Sequence, residues 1–372
     1  MDQKTAQTLF EEGATLIFLN VPEGTEFGID YNTWTVGERF KGVKMIPPGV
    51  HFVYFSAVNI RDNQTAPRTG FFHNFKRKEI LVKRWNKKDE DIAEERYTDP
   101  DEIARYRDTL RDLDRFLGPY PYDSLKKWVS LSNHLTESVL ERLMPECGKI
   151  LSATQLESDD ATRTTEDRAK LAEARKSEQE TSTAEQQLPR MHVISGTAIR
   201  FSAIPQNYPQ GASPSEITKH SMDSSYALQS LLDSSYKDNP KDLLGELQFA
   251  FVCFLIGQVY DSFEQWKKLV HLLCTSEDAI HNHPEVYSLF ITILHFQLRE
   301  IPSDFFVDIV SSDNFLTSNL RLFFDNLKES QGVQVGLKEK GLKFKRSLTR
   351  HFKWNFNVVH NDEDDPMVVE VS

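Results

Sequence analysis

Residues 37–44, Gly-Glu-Arg-Phe-Lys-Gly-Val-Lys, place two glycines at the interval used by phosphate-cradling loops. That chemistry needs a lysine directly after the second glycine and then Ser or Thr to hold magnesium. Here Val43 intervenes and Met45 follows Lys44, so a pair of turn glycines is the reading. His281 and His283 are the only close histidine pair. Positions two apart do not share a helix face, and no Cys, Asp or Glu stands at zinc-ligand spacing. Pro284 follows, which marks the start of a helix. The chain has three cysteines, Cys147, Cys253 and Cys274, with no C-x-x-C pair and no disulfide framework. It lacks a Gly-x-Ser-x-Gly elbow, a Gly-x-Gly-x-x-Gly turn and a His-Glu-x-x-His helix. No catalytic residue, metal site or cofactor is expected.

Two segments carry binding chemistry instead. Lys338, Lys340, Lys343, Lys345, Arg346, Arg350 and Lys353 form a basic stripe, with Leu337, Phe344, Leu348 and Phe352 at helical spacing on the other side. The plain reading is the solvated face of an amphipathic helix; contact with RNA or an acidic membrane is the alternative. At the end of the chain, residues 361–366 are an acidic spacer closed by Pro366. Met367, Val368, Val369, Glu370 and Val371 then have high β-propensity. These five are the candidate partner-binding residues, suited to strand addition on a partner's sheet edge. Docking on the protein's own surface, or terminal disorder, is the alternative.

Composition narrows the function classes. The 372 residues carry a formal net charge of −12, which disfavours direct nucleic-acid binding and favours a basic protein partner. Few, scattered cysteines fit a reducing compartment. The N-terminus has no apolar signal core. The most apolar run, residues 243–259, is too short to span a bilayer and contains Glu246, Gln248 and Gln258. It reads as a central core helix, and no membrane role is expected.

The elements divide into two regions. A helix over residues 2–12, stopped by Gly13, leads into short apolar runs at 15–19, 51–55, 70–75 and 80–85, separated by Gly, Pro and Asn. Such runs predict strands of a sandwich or small barrel. Ile103, Tyr106, Leu110, Leu113 and Leu117 then recur as a helical stripe, and shorter helices follow to residue 144. Residues 158–187 are rich in Glu, Thr, Ser and Ala and have no aromatic residue, so they read as a mobile linker. After a possible strand at 198–204, Ser213-Pro214-Ser215-Glu216 is a helix start. Ile217, Ser221, Ser224, Leu228 and Leu231 mark one face. Apolar stripes over 263–273, 286–298, 305–310 and 315–327 predict more helices, without a fixed-period repeat. The expected fold class is α+β multidomain. It comprises a β-rich domain with a helical extension over 1–150, a polar linker over 151–192, a helical domain over 193–356 and an acidic tail over 357–372.

Several strings resemble the AAR2 family of A1-cistron splicing factors. They include residues 24–32 (Gly-Thr-Glu-Phe-Gly-Ile-Asp-Tyr-Asn), 40–49 (Phe-Lys-Gly-Val-Lys-Met-Ile-Pro-Pro-Gly) and 116–122 (Phe-Leu-Gly-Pro-Tyr-Pro-Tyr). In the second half they are residues 216–223, 245–255 and 301–310. The resemblance implies a β-sandwich-type N-terminal domain and a VHS-like helical C-terminal domain. It also implies a role as an assembly chaperone of the U5 small nuclear ribonucleoprotein. The partner it implies is the large U5 scaffold protein, held through its RNase H-like and Jab/MPN domains in exclusion of the U5 RNA helicase. No catalytic residues carry over, and the expected location is cytoplasm and nucleus. Two other readings stay open: an enzyme with an unrecognised site between the domains, and a direct RNA-binding protein acting through the basic helix.

Overall fold

The computed structural model describes residues 3–59, 64–93, 100–153, 156–158, 191–301, 315–330 and 332–356. Most of the expected linker, the helix expected at 305–310 and the tail with Met367 to Val371 lie outside the described residues. The chain forms two compact units. One is Met1–Phe201 with Phe249–Phe263; the other is Ser202–Gln248 with Glu264–Ser372. The layout is the expected α+β one, with sheets in the N-terminal region and helices in the C-terminal region.

In the first unit, helix α1 (Gln3–Glu12) leads into β1 (Ala14–Leu19), β2 (Glu26–Ile29), β3 (Asn32–Thr35), β4 (Gly42–Ile46) and β5 (Gly49–Ser56). A small hairpin, β6 (Val58–Asn59) and β7 (Gln64–Thr65), precedes β8 (Thr69–Phe75), β9 (Ile80–Asn86) and β10 (Asp91–Ile92). The strands build two five-stranded sheets, completed by β11 (Leu117–Pro119) and β12 (Ile150–Leu151). Their orders are β10-β9-β1-β4-β11 and β12-β8-β5-β2-β3. The first sheet is mixed, since β1 runs parallel to β9 and β4 parallel to β11.

One apolar cluster joins the sheets. It includes Phe18, Phe27, Val53, Phe55, Phe71 and Trp85. Phe55 meets Trp85 edge-on with ring centroids 5.2 Å apart, an arrangement that aromatic quadrupoles favour. Both sheets are also covered on their outer faces. On the first, Ile17, Ile80 and Val82 sit under Ile103 and Tyr106 of α2 (Pro100–Asp108) and Leu113 of α3 (Leu110–Leu113). On the second, Phe52 and Phe72 pair across β5 and β8, and Phe249 packs 4.9 Å from Phe72. Two-sided burial explains why residues 52–55 are buried without alternation.

Two expectations are corrected here. The helical stripe ends before Leu117. A 3₁₀ turn at Asp114–Phe116 gives way to β11, because Gly118 precedes Pro119 and is held extended while Leu117 to Pro119 pair with β4. The strand expected at 198–204 is absent. Its backbone bonds elsewhere: Arg200 N–H donates to Leu143 O at 2.9 Å, and Ser202 N–H to the Glu246 carboxylate at 3.0 Å. After α4 (Leu125–Ser132) and α5 (Glu137–Leu143), a short ladder pairs β13 (Leu156–Ser158) with β14 (Met191–Val193), so the two ends of the expected linker meet.

The second region is helical: α6 (Pro214–Met222), α7 (Ser225–Ser235), α8 (Asp242–Leu255), α9 (Tyr260–Thr275), α10 (Glu277–Asn282), α11 (Pro284–Glu300), α12 (Phe315–Glu329) and α13 (Val335–Phe352). Ser213 and Glu216 form the full capping box. The face expected from Ile217 to Leu231 is broken at Asp223. Its carboxylate accepts from Ser225 N–H and from Glu277 N–H, both at 2.9 Å, so it starts a new helix at Ser225. Helix α8 is buried nearly all round, as its composition predicts.

Of the two glycines at 37 and 42, only Gly37 opens a turn, through Phe40 N–H to Gly37 O. Gly42 lies in β4 with φ of 134°, and a Cβ there would stand 1.9 Å from Leu16 O. Gly42→Ala is therefore expected to cost about 3 kcal/mol or more. Gly37→Ala, with open space around it, should change stability by no more than about 0.5 kcal/mol. Urea unfolding of the two variants checks the contrast.

Candidate functional site

Two buried polar clusters have the residue types of catalytic sites. Asp30, at the β2–β3 turn with φ of 54°, accepts from Tyr120 O–H at 2.6 Å and from Phe52 N–H at 3.0 Å. Its carboxylate also meets His51 Nδ1 at 2.7 Å, and His51 Nε2 donates to Pro47 O at 2.9 Å. A carbonyl can only accept, so both ring nitrogens are engaged. All three side chains are at most 3% exposed. Burial, then the Asp30 charge, pushes the Tyr120 hydroxyl far above its ordinary range, so it stays a neutral donor. The Trp128 ring stacks on His51 and its N–H donates to Val50 O at 2.9 Å. This network fixes the β2–β3 turn to β5 and to the segment after β11. It leaves no atom of the triad for a substrate.

Glu246 plays the same part in the second unit. Fully buried on α8, it accepts from Ser202 N–H at 3.0 Å, Ser202 O–H at 2.9 Å, Gln265 N–H at 2.9 Å and the Tyr236 hydroxyl. The sequence reading missed both clusters, because their members lie 21 to 90 residues apart for Asp30 and 10 to 44 apart for Glu246. The only local signal is a carboxylate inside an otherwise apolar run.

The motifs singled out in the sequence serve structure. Lys44 of the glycine loop pairs with Asp114. His281 Nδ1 lies 3.2 Å from Gly332 O, and His283 Nε2 lies 2.9 Å from Gln229 Oε1. They face different partners. Among the described residues, no group of three or more His, Cys, Asp and Glu could hold a metal ion. Cys253 and Cys274 are buried, and burial raises both thiols above their usual range; Cys147 is exposed. No described helix is long and apolar enough to cross a membrane.

The exposed features are of the interaction kind. Among the described residues, three of the four edges of the two five-stranded sheets are blunt: β10 and β12 have two residues each, and β11 has three with a proline. The fourth, β3, has four uncharged residues. Val36 N–H bonds Thr25 O, and the register pairs Trp34 with Phe27. By alternation, Thr33 and Thr35 therefore turn their backbone groups to the open edge. Trp34, 39% exposed, extends the inner row of Phe55 and Phe27 to that edge. The basic stripe on α13 divides. Lys338 donates to Lys328 O and Ser330 O at 3.0 Å, and Lys340 to Ser288 O at 2.6 Å. Lys345 lies over the Phe324 ring. Lys343, Arg346, Arg350 and Lys353 are exposed. The candidate residues Met367, Val368, Val369, Glu370 and Val371 lie outside the described residues.

Glu246→Ala removes the acceptor that the Ser202 and Gln265 N–H groups, which can only donate, share in the buried cluster. The expected cost is about 3 kcal/mol, against about 1 kcal/mol for Tyr236→Phe, which removes one donor. Urea unfolding of both variants reads the difference.

Residues 12–145 match the AAR2 N-terminal domain, and residues 201–357 match the AAR2 C-terminal repeat region. The chain is 47% identical to the protein AAR2 homologs of mouse and human, over its whole length and 97% of theirs. It is 22% identical to the A1 cistron-splicing factor AAR2 of Saccharomyces cerevisiae, over 78% of each chain. With both of its regions matched and close relatives aligned from end to end, the chain belongs to the AAR2 family.

Proposed function

We propose that this chain is a pre-mRNA splicing factor that acts as an assembly chaperone of the U5 small nuclear ribonucleoprotein, in cytoplasm and nucleus. It binds the large U5 scaffold protein through that partner's RNase H-like and Jab/MPN domains. While bound, it keeps the U5 RNA helicase from the same surface. It acts without catalysis and without direct RNA contact, and its helical region is VHS-like.

The observation that carries this reading is the end-to-end relationship to AAR2 proteins, one of them the yeast A1 cistron-splicing factor. The geometry is in keeping with it. The two clusters with catalytic residue types are sealed and saturated, while an open strand edge and an exposed basic face remain for partners. Two contact patches on one chain raise the effective concentration of the second after the first has bound. The terminal residues Met367 to Val371 add a strand to the partner's sheet.

Purified full chain mixed with the scaffold's RNase H-like and Jab/MPN region is expected to form a stable complex on size-exclusion chromatography. The helicase should displace the chain from it. No complex at several salt concentrations would end this reading. Deleting Met367 to Ser372 should weaken the complex by about tenfold, roughly 1.4 kcal/mol, with the urea midpoint of the free protein unchanged. Isothermal titration calorimetry measures the first and urea unfolding the second.

A further inference from the structure

The chain carries a formal charge of −12, yet one surface cavity of the second unit collects cations. It has a volume of about 420 Å³ and is lined by His295 and Arg299 of α11 together with Arg350, His351, Phe352 and Lys353 at the end of α13. Among the described residues, no carboxylate lines it. Among the described residues, the side chains of Arg299, Arg350 and Lys353 make no hydrogen bond or ion pair. Burial, then the charges of Arg299 and His351, holds His295 below the ordinary histidine range, as expected where like charges converge.

Helix ends explain part of this. Both α11 and α13 end here, with Arg299, Arg350 and His351 in their last turns. A helix C-terminus carries roughly half a negative charge, so two of them offset about one cation. Arg299, Arg350 and Lys353 supply three permanent charges, which leaves a surplus of about two. At the start of α13, Lys338 and Lys340 have internal partners. Among the described residues, Arg350 and Lys353 at its end have none.

We propose that this cavity is a binding site for a phosphate monoester on a peptide side chain, such as phosphoserine. A phosphate dianion matches the surplus charge, and guanidinium groups bind it through paired, charge-assisted hydrogen bonds. Phe352 gives the flanking peptide an apolar wall, while exposed Lys343 and Arg346 lie earlier on α13, outside the cavity. A long polyanion such as RNA suits the site less. Its many phosphates would meet the repulsion of the whole acidic protein, whereas a single phosphate meets mainly the local field.

The test is fluorescence anisotropy of the full chain with a labelled ten-residue peptide carrying one phosphoserine among glycines and glutamates. Its unphosphorylated twin and a twelve-nucleotide single-stranded RNA serve as the other probes. The phosphopeptide should bind at least about tenfold tighter than the twin, and inorganic phosphate should compete it off. The double variant R299A/R350A should bind the two peptides alike, while K343A/R346A stays within about twofold of the parent for the phosphopeptide. All four residues are exposed, and circular dichroism checks that both variants fold. Equal affinity for both peptides, or an unchanged preference in R299A/R350A, overturns the proposal. RNA that binds more tightly than the phosphopeptide and is lost in the same variant also overturns it, in favour of a nucleic-acid contact.

Discussion

The second sheet of the sandwich is apolar on both faces, and most of the first unit's organisation follows from that constraint. Its inner face closes on the other sheet through Phe27, Val53, Phe55 and Phe71. Its outer face shows Phe52, Tyr54 and Phe72, which would be a large exposed aromatic surface if left in water. A segment nearly 180 residues further along the chain, Phe249–Phe263, covers it. Phe249 packs on Phe72, and the Arg68 guanidinium donates to Ile256 O at 2.6 Å while lying over the Tyr54 ring. The apolar rings supply area, and the arginine satisfies a carbonyl near the end of α8. Gly70 permits the close fit of the Phe52 ring, because a Cβ there would stand 2.4 Å from it.

Buried polar groups then fix what apolar packing leaves free. Hydrophobic contact is non-directional and tolerates sliding. Asp30 and Glu246 do not tolerate it, since each gathers donors from distant segments and loses a costly bond if any one shifts. Asp30 joins a hairpin turn to β5 and to Tyr120. Glu246 joins α8 to α9 through Gln265 and to the strandless segment at Ser202. These carboxylates resemble active-site groups in their burial and their partners. The difference is access: a working acid or base needs an open coordination position, and here every position points to the protein itself.

Charge is handled in opposite ways inside and outside. Inside, the Asp30 and Glu246 carboxylates are each held by several hydrogen-bond partners. Outside, in a chain of net charge −12, the last helix presents an exposed positive face of Lys343, Arg346, Arg350 and Lys353. The lysines that point back from α13 bind carbonyls at the end of α12 and on α11, which locks the last helix to its neighbours. Of the basic residues that point away, Arg350 and Lys353 meet Arg299 at the far end of the helix. A strand edge with Trp34 at its margin and a cationic cavity on a helical surface are different kinds of surface.

Local chemistry was enough to determine part of this. The capping box at Ser213 and Glu216, the burial of α8, the aromatic strands β5 and β8 and the stop at Gly13 follow from propensity, periodicity and backbone freedom within a few residues. The strings shared with the AAR2 family were also legible, because such a resemblance is a property of the sequence itself. Tertiary structure decided the rest. Leu117 continued a helical stripe, yet it joined a sheet because β4 offered it a pairing edge. Residues 198–204 had strand composition, yet their amides found Leu143 O and Glu246 instead of a ladder. The gathering of Arg299 with Arg350 and Lys353, 51 and 54 positions away, left no trace in spacing. Local sequence fixes the preferences of a segment. Which distant group satisfies a buried donor, or crowds a surface charge, depends on which segments the fold brings together.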